Sequence, residues 1–266
     1  MICCNLKGGL GNMLFQIAAA KSMAVDTNNK CCFPNLNSHL HYLDSDMMYN
    51  PVLRHSSEYM KLLKNLEVCG IVDYGNTIKF PFEYVEVQLS KYNTYIDGFF
   101  QSEKYFKHNR KEVLEFLDFS FISQEYIDEK YGFFRGNHTT SIHVRRGDYL
   151  RHPNHHPPQT LEYYMEGVEM LKDKTDLFVI FSDDIEWCKV NLDLDNAVYI
   201  ENEKDYIELY LMKICNNNIT CNSSFGWWGA WLNENSDKIV IGPKIWFGSA
   251  IQHNTGDIIP EDWIKI

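Results

Sequence analysis

No apolar run in this chain approaches the ~20 residues that a membrane-spanning helix needs, and Met1 to Leu6 passes into a glycine turn without the layout of a signal peptide. A cytoplasmic protein with no membrane span is the expectation. Basic side chains are also scarce. Against 36 Asp and Glu there are 25 Lys and Arg, a formal charge of −11, so no wide basic face is available for nucleic acid or anionic lipid. An anionic ligand must therefore meet a local cluster of Arg or Lys. The eight cysteines contain no Cys-x-x-Cys and no zinc-finger spacing. Adjacent cysteines on a strand point to opposite faces, so a bridge within Cys3-Cys4 or Cys31-Cys32 is disfavoured, and reduced, mostly buried thiols are expected. Repeats, linkers and low-complexity stretches are missing as well, which leaves a change of rhythm as the guide to organisation.

What is present is apolar and aromatic. Of the 266 residues 45% are hydrophobic, with 16 Tyr, 16 Phe and 6 Trp, enough to build a core and line a cleft. Ile2 to Leu6 reads as a strand, followed by Lys7-Gly8-Gly9-Leu10-Gly11-Asn12 and a helix over Leu14 to Ala24. Asn35 to Tyr49 is polar and reads as loop, Glu58 to Leu66 has a helical pattern, and Tyr92 to Phe100 resembles a strand. The rhythm changes near residue 135. From Thr139 onward, strands at Ser141–Val144, Leu177–Phe181, Ala197–Ile200, Ile219–Cys221 and Lys238–Ile241 alternate with helices at Leu161–Leu171, Ile185–Asn191, Tyr206–Cys215 and Phe225–Leu232. This is the pattern of an α/β chain with a parallel sheet covered on both faces, and it suggests domains 1-134 and 135-266. Ligands on such sheets bind at the carboxyl ends of the strands.

Three of those ends hold unusual residues. His143-Val144-Arg145-Arg146-Gly147-Asp148 leaves an apolar strand with two adjacent guanidinium groups. Because successive side chains point to opposite faces, one arginine is directed into a cleft, where its fork of donors suits a diphosphate. Pairing of both arginines with Asp148 and nearby acids is the plainer alternative. Ser182-Asp183-Asp184 can offer carboxylates to a ribose hydroxyl or guanine amine, or can cap the next helix. Asn222-Ser223-Ser224-Phe225 places hydroxyls and free N–H groups at a strand-to-helix junction suited to phosphate, or forms an ordinary N-cap before Trp227, Trp228 and Trp231. The turn at Gly9, Gly11 and Asn12 lacks the dinucleotide fingerprint and keeps only the capacity for close backbone approach. His152, His155 and His156 share a proline-rich loop without an acid to complete a hard-cation site, which leaves one of them, with His152 nearest to the arginines, as a candidate proton acceptor or a solvated residue.

These motifs, with Asp97-Gly98-Phe99-Phe100-Gln101-Ser102-Glu103-Lys104-Tyr105-Phe106 and the run from Asn222 to Leu232, resemble glycosyltransferase family 11, the α-1,2-fucosyltransferases that use GDP-fucose. Five motifs occur in family order from residue 8 to residue 232. Met13 stands where the family usually has Gln, and Gly226 where it usually has Ser. The resemblance implies a GT-B-like fold of two Rossmann-like halves, the acceptor held by the N-terminal half and GDP-fucose by the C-terminal half. It implies transfer of L-fucose to the 2-hydroxyl of a galactose-terminated glycan acceptor, with inversion and without a metal or cofactor. Neither Asp44-Ser45-Asp46 nor Asp193-Leu194-Asp195 follows a strand end that would hold an ion. Carried over by residue, the donor site comprises Gly9, Gly11, Asn12, His143, Arg145 and Arg146, together with Asp183, Asp184, Asn222, Ser223, Ser224 and Phe225. Arg145 would take up the leaving-group charge, with Asp148 either a proton acceptor or the orienter of Arg145. Two rival classes are a nicotinamide-dependent enzyme, suggested by the first glycine turn, and a lectin using Trp227, Trp231 and Trp246 as exposed platforms.

Overall fold

The structure, a computed structural model, describes residues 1–45, 58–69, 76–89 and 93–266. These form two compact units. The first contains β1 (Ile2–Cys4), α1 (Leu10–Asp26), β2 (Cys31–Cys32), α2 (Leu36–Ser45), α3 (Tyr59–Leu62), β3 (Asn76–Lys79), β4 (Thr94–Asp97) and α4 (Arg110–Leu114). Its four strands run parallel in the order β2-β1-β4-β3. Ile2, Cys3 and Cys4 are completely buried, as a central parallel strand covered on both faces must be.

Several boundaries in this unit depart from expectation. Helix α1 starts at Leu10 rather than Leu14, because Gly9 serves as N-cap and its carbonyl accepts from Met13 N at 3.0 Å. Gly11 and Asn12 thus lie in the first helical turn. The stretch read as loop after Asn35 contains α2, which buries Leu36, Leu40 and Leu43 at i, i+4 and i+7 beneath a polar exterior. Asp44 and Ser45 end that helix, and Asp46 lies outside the described residues. Strand β3 has the polar sequence Asn76-Thr77-Ile78-Lys79 and pairs through its backbone as a sheet edge. The expectation of reduced thiols throughout is also corrected. Cys32 and Cys69 form a disulfide, since the Phe33 N–H donates to Glu67 O at 3.2 Å and so brings the later segment beside β2.

The second unit holds Ser120–Gln252 and Glu261–Ile266, while His253–Pro260 belongs to the first. The division at Phe119/Ser120 precedes the change of rhythm because α5 (Gln124–Tyr131) is tied into this unit. Glu203, nearly buried, accepts from Tyr131 Oη at 2.6 Å and Lys130 Nζ at 2.9 Å, and also from Tyr126. Burial works against its charge, but these donors hold its pKa below the usual carboxylate value.

There follow β5 (Thr139–Val144), α6 (Leu161–Leu171), β6 (Leu177–Ser182), α7 (Ile185–Asn191), β7 (Ala197–Tyr199), α8 (Asp205–Ile214), β8 (Asn217–Ile219), α9 (Ser224–Leu232), β9 (Val240–Gly242) and β10 (Ile264–Lys265). The strands form a parallel sheet in the order β10-β9-β8-β5-β6-β7. Every residue of β5 is buried. Strand β8 starts two residues before its expected position because the buried Asn218 amide is satisfied, donating to Ser141 Oγ at 2.7 Å and Met212 O at 2.9 Å. From β5 the chain winds outward through β6 and β7, then returns to the other side of β5 at β8, which makes β5/β8 the topological switch point. In the first unit the corresponding reversal lies at β1/β4. Parallel α/β sheets bind ligands outside the carboxyl ends of strands at such points.

Candidate functional site

The β5 loop leaves the switch point as Arg145-Arg146-Gly147-Asp148, and it is dense with charge. Arg145 donates from Nε and Nη2 to Asp148 Oδ1 at 3.0 and 2.6 Å, and its Nε lies 3.2 Å from Asp183 Oδ2. Burial works against the Arg145 charge, and the carboxylates of Asp183 and Asp148 more than offset it, so the guanidinium stays protonated. Neither pairing uses Nη1. Arg146 donates from Nε to Asp184 Oδ2 at 3.0 Å and lies 4.0 Å over the Trp187 ring. The surface-pairing alternative and the clamp alternative are therefore compatible: Asp148 and Asp183 grip one edge of Arg145 and leave the other edge free of them.

At the β6 end the two aspartates divide the work. Asp184 caps α7 by accepting from Trp187 N at 3.3 Å, and it also holds Arg146. The Asp183 carboxyl, with only 8% of its side chain exposed, accepts from Arg146 N at 2.9 Å and faces Arg145. Tyr149 folds back so that its hydroxyl donates to Asn222 O at 2.9 Å, which links the β5 loop to the β8 loop.

The junction between β8 and α9 begins with a surprise at Asn222. Its amide donates to Pro157 O at 2.9 Å and Trp246 O at 3.0 Å, so both N–H groups are already taken by backbone carbonyls. Ser223 is the N-cap residue yet makes no side-chain cap bond, and the first intrahelical acceptance is Trp227 N to Ser223 O at 3.0 Å. The N–H groups of Ser224, Phe225 and Gly226 precede that bond, so they have no partner within the helix. They form the phosphate-suited element of this edge. His143, expected in the donor site, is buried between Cys221 Sγ at 3.2 Å and the Phe225 ring at 5.6 Å. Burial, with the Arg145 charge adding to it, pushes its pKa down to about 3. It is a neutral packing group. Gly226 lets the ring pack this closely, since a Cβ there would meet His143 Nδ1 at 2.5 Å unless the ring shifted.

Two residues near this edge have surroundings that the amino-acid order did not single out. His152 is exposed, whereas His156 stacks on Tyr149 at 5.0 Å and its buried Nδ1 has no hydrogen-bond partner among the described residues. Burial lowers its pKa. Pro157 beside it, held by Asn222, is the feature that could have singled it out. Glu208, in the first turn of α8, has a pKa raised well above the carboxylate range by burial and by the nearby Asp205, Glu203 and Asp183. In the sequence it passes for an ordinary acid at a helix start.

In the first unit, Gly8 has φ +74° and Asn12 Oδ1 accepts from Gln101 Nε2 at 2.7 Å. Gln101 is 6% exposed, and its Oε1 has no partner among the described residues. The preceding Phe100 has φ +53°, strained for a bulky side chain, and is held by Phe80 and Tyr105. Gly9 caps α1 without a side-chain bond, so the N–H groups of Leu10, Gly11 and Asn12 have no helical acceptor. Lys7 and Asp97 pair beside this turn.

The sequence pattern of Glycosyl transferase family 11 matches residues 1–266. The chain belongs to that family. It is similar to the alpha-1,2-colitosyltransferase of Escherichia coli, 28% identical over 291 residues that cover 100% of this chain and 99% of the relative. It also resembles the galactoside 2-alpha-L-fucosyltransferase SEC1 of Bos taurus, 24% identical over 247 residues, covering 86% of this chain and 63% of that one. Among solved structures, fucosyltransferase NodZ from Bradyrhizobium has a TM-score of 0.50 at 13% identity, with 86% of this chain and 90% of that one covered.

This family 11 protein is thus a glycosyltransferase with an α/β, GT-B-like fold of two Rossmann-like units. The nicotinamide reading falls with that assignment. The lectin reading loses its platforms, because Trp227, Trp231 and Trp246 are 0%, 3% and 4% exposed and belong to the core. Among the described residues, no helix is long and apolar enough to cross a membrane.

Proposed function

We propose that this protein transfers L-fucose from GDP-fucose to the 2-hydroxyl of a terminal β-galactoside, inverting the anomeric centre without a metal ion. The second unit binds the donor and the first unit the acceptor. The observation that supports this most is Arg145 at the β5/β8 switch point, fixed along one edge by Asp148 and Asp183. Departure of GDP develops negative charge on the β-phosphate. A guanidinium held in place before the reaction stabilises that charge more than it stabilises the bound donor, which lowers the barrier. The free N–H groups at the start of α9 add donors of the same sense.

Asp148 serves Arg145 as a positioning residue, because its Oδ1 accepts two bonds from the guanidinium. The acceptor hydroxyl loses its proton late, after the fucosyl centre has gained oxocarbenium character, so a strong base is not required. His156, which stacks on Tyr149 of the β5 loop, is the held imidazole on this edge and a candidate to take that proton, whereas His152 is exposed.

A second donor reading has one specific support, the full-length similarity to a colitosyltransferase. Colitose is L-fucose without its 3-hydroxyl. A site that hydrogen-bonds this hydroxyl discriminates against the deoxy sugar by about 10⁴-fold, whereas a site that ignores it accepts both. The test incubates the protein with GDP-fucose or GDP-colitose and a panel of β-galactosides, with and without EDTA, followed by linkage analysis. Fucose in 1→2 linkage, formed in EDTA, is the expected product. Turnover of GDP-colitose alone would replace the donor, and loss of activity in EDTA would end the metal-free mechanism.

A further inference from the structure

Four sulfur atoms converge in the first unit, away from the residues described above. Cys3 and Cys32 are register partners on the adjacent parallel strands β1 and β2, so their side chains lie on the same face, and their sulfurs are 3.1 Å apart. Cys69 is joined to Cys32 by the disulfide, with Cα atoms 5.8 Å apart. The thioether of Met1 lies 3.3 Å from Cys32 Sγ. The sulfurs of Cys3, Cys32 and Cys69 all lie within 4.8 Å of one another. Cys3 and Cys32 are buried, while Cys69 is partly exposed and gives the cluster a path to solvent. A structural disulfide needs two sulfurs; this arrangement brings four to one point.

We propose that, in the reduced protein, Cys3, Cys32 and Cys69 bind one thiophilic d¹⁰ cation of the zinc class, with the Met1 thioether completing the set. A dithiol reductant delivers two electrons and two protons to the Cys32–Cys69 bond and is itself oxidised to a disulfide. The three thiols then release their protons to water as the ion binds. Tetrahedral coordination with Zn–S bonds of ~2.3 Å sets sulfurs about 3.8 Å apart, a spacing this cluster reaches with small side-chain adjustments. An all-sulfur donor set excludes hard ions such as magnesium and calcium. Three thiolates leave a divalent complex with one net negative charge. Cys31 points to the opposite face of β2 and is no part of the set. The site is redox-gated: the disulfide form holds no ion.

The full chain, reduced with a phosphine under anaerobic conditions, is titrated with Cd²⁺ and followed by its thiolate-to-metal charge-transfer absorption. Competition with Zn²⁺ and with Cu⁺ then distinguishes the two ion classes. One ion per chain is expected in the reduced protein and none in the disulfide form. Cys3→Ser and Cys69→Ser should each weaken binding by at least about tenfold, since even the outer partners of metal ligands are worth that much. Cys31→Ser should bind as the wild type does. If Cys3→Ser does not fold, the partly exposed Cys69→Ser carries the test. Uptake of no ion by the reduced wild type, or equal binding by Cys69→Ser, overturns the proposal, and preference for Cu⁺ over Zn²⁺ overturns its zinc-class assignment.

Discussion

The carboxyl ends of β1 and β5 occupy equivalent places in two parallel sheets, each beside a topological switch point, yet they are chemically unlike. At β1 the edge is built from backbone and neutral amides: the Gly8 turn, the start of α1 capped only by the Gly9 backbone, and the Asn12–Gln101 pair, with Lys7 and Asp97 as its ion pair. At β5 two guanidinium groups meet three carboxylates within one loop and its neighbours. On the proposed function, the difference assigns the step in which charge develops to the second unit. Neutral donors and acceptors suit a polyhydroxyl ligand whose charge never changes, whereas a fixed guanidinium suits a group that becomes more anionic as the reaction proceeds.

The sharpest way to break this contrast is at Arg145. Arg145→Ala should lower turnover by at least roughly a hundredfold, with Arg145→Lys failing to restore it because a point charge cannot span the same fork. Near-normal rates in either variant would move the leaving group elsewhere. A second test asks whether the β5/β8 edge is as tightly built as it looks. Gly226→Ala forces a methyl against His143 and should cost about 1–3 kcal/mol of stability in denaturant unfolding; an unchanged midpoint would mean that His143 has room to move.

A third test separates the two roles of Asp148. Asp148→Asn should slow turnover about tenfold, by loosening Arg145, while leaving the shape of the pH–rate profile intact. Disappearance of the acidic limb would make Asp148 the proton acceptor instead. The smallest expected effect concerns His143, whose pKa falls from 6.5 to about 3 on folding. Above pH 6.5 the ring is neutral in both states. As pH falls below that value the unfolded chain takes up a proton that the folded protein refuses, so stability should decline by about 1.4 kcal/mol per pH unit. Urea titrations between pH 6.5 and 5.5 should show a decline of about 1 kcal/mol, steepening toward that slope at lower pH, in the wild type and a shallower one in His143→Gln.

The second unit was the more legible of the two in the amino-acid order, because its central strands are continuous apolar runs such as Leu177–Ser182, which only a covered parallel sheet can use. The first unit hid more. Strand β3 is polar because an edge pairs through its backbone, and α2 looked like loop although Leu36, Leu40 and Leu43 already carried a helical period. Asn217 and Asn218 concealed the start of β8, since a buried amide reads as a loop residue until its partners are known. Within the site, the motifs marked the right loops but not the duties of single residues. Asp184 proved to be both cap and ion-pair partner, Asn222 a backbone tie, and His156 rather than His152 the packed imidazole.

The order of residues by itself determined the family, the alternation of strands and helices, and the loops where chemistry is concentrated, because these depend on local periodicity and on motifs read along the chain. Only the tertiary structure decided which side chains meet: the Arg145–Asp148–Asp183 group, the burial of His143 against Gly226, and the meeting of Cys3, Cys32 and Cys69. Apart from Arg145–Asp148, these contacts join residues tens of positions apart, and the spacing that produces them is set by sheet order and crossover packing, which no local pattern encodes.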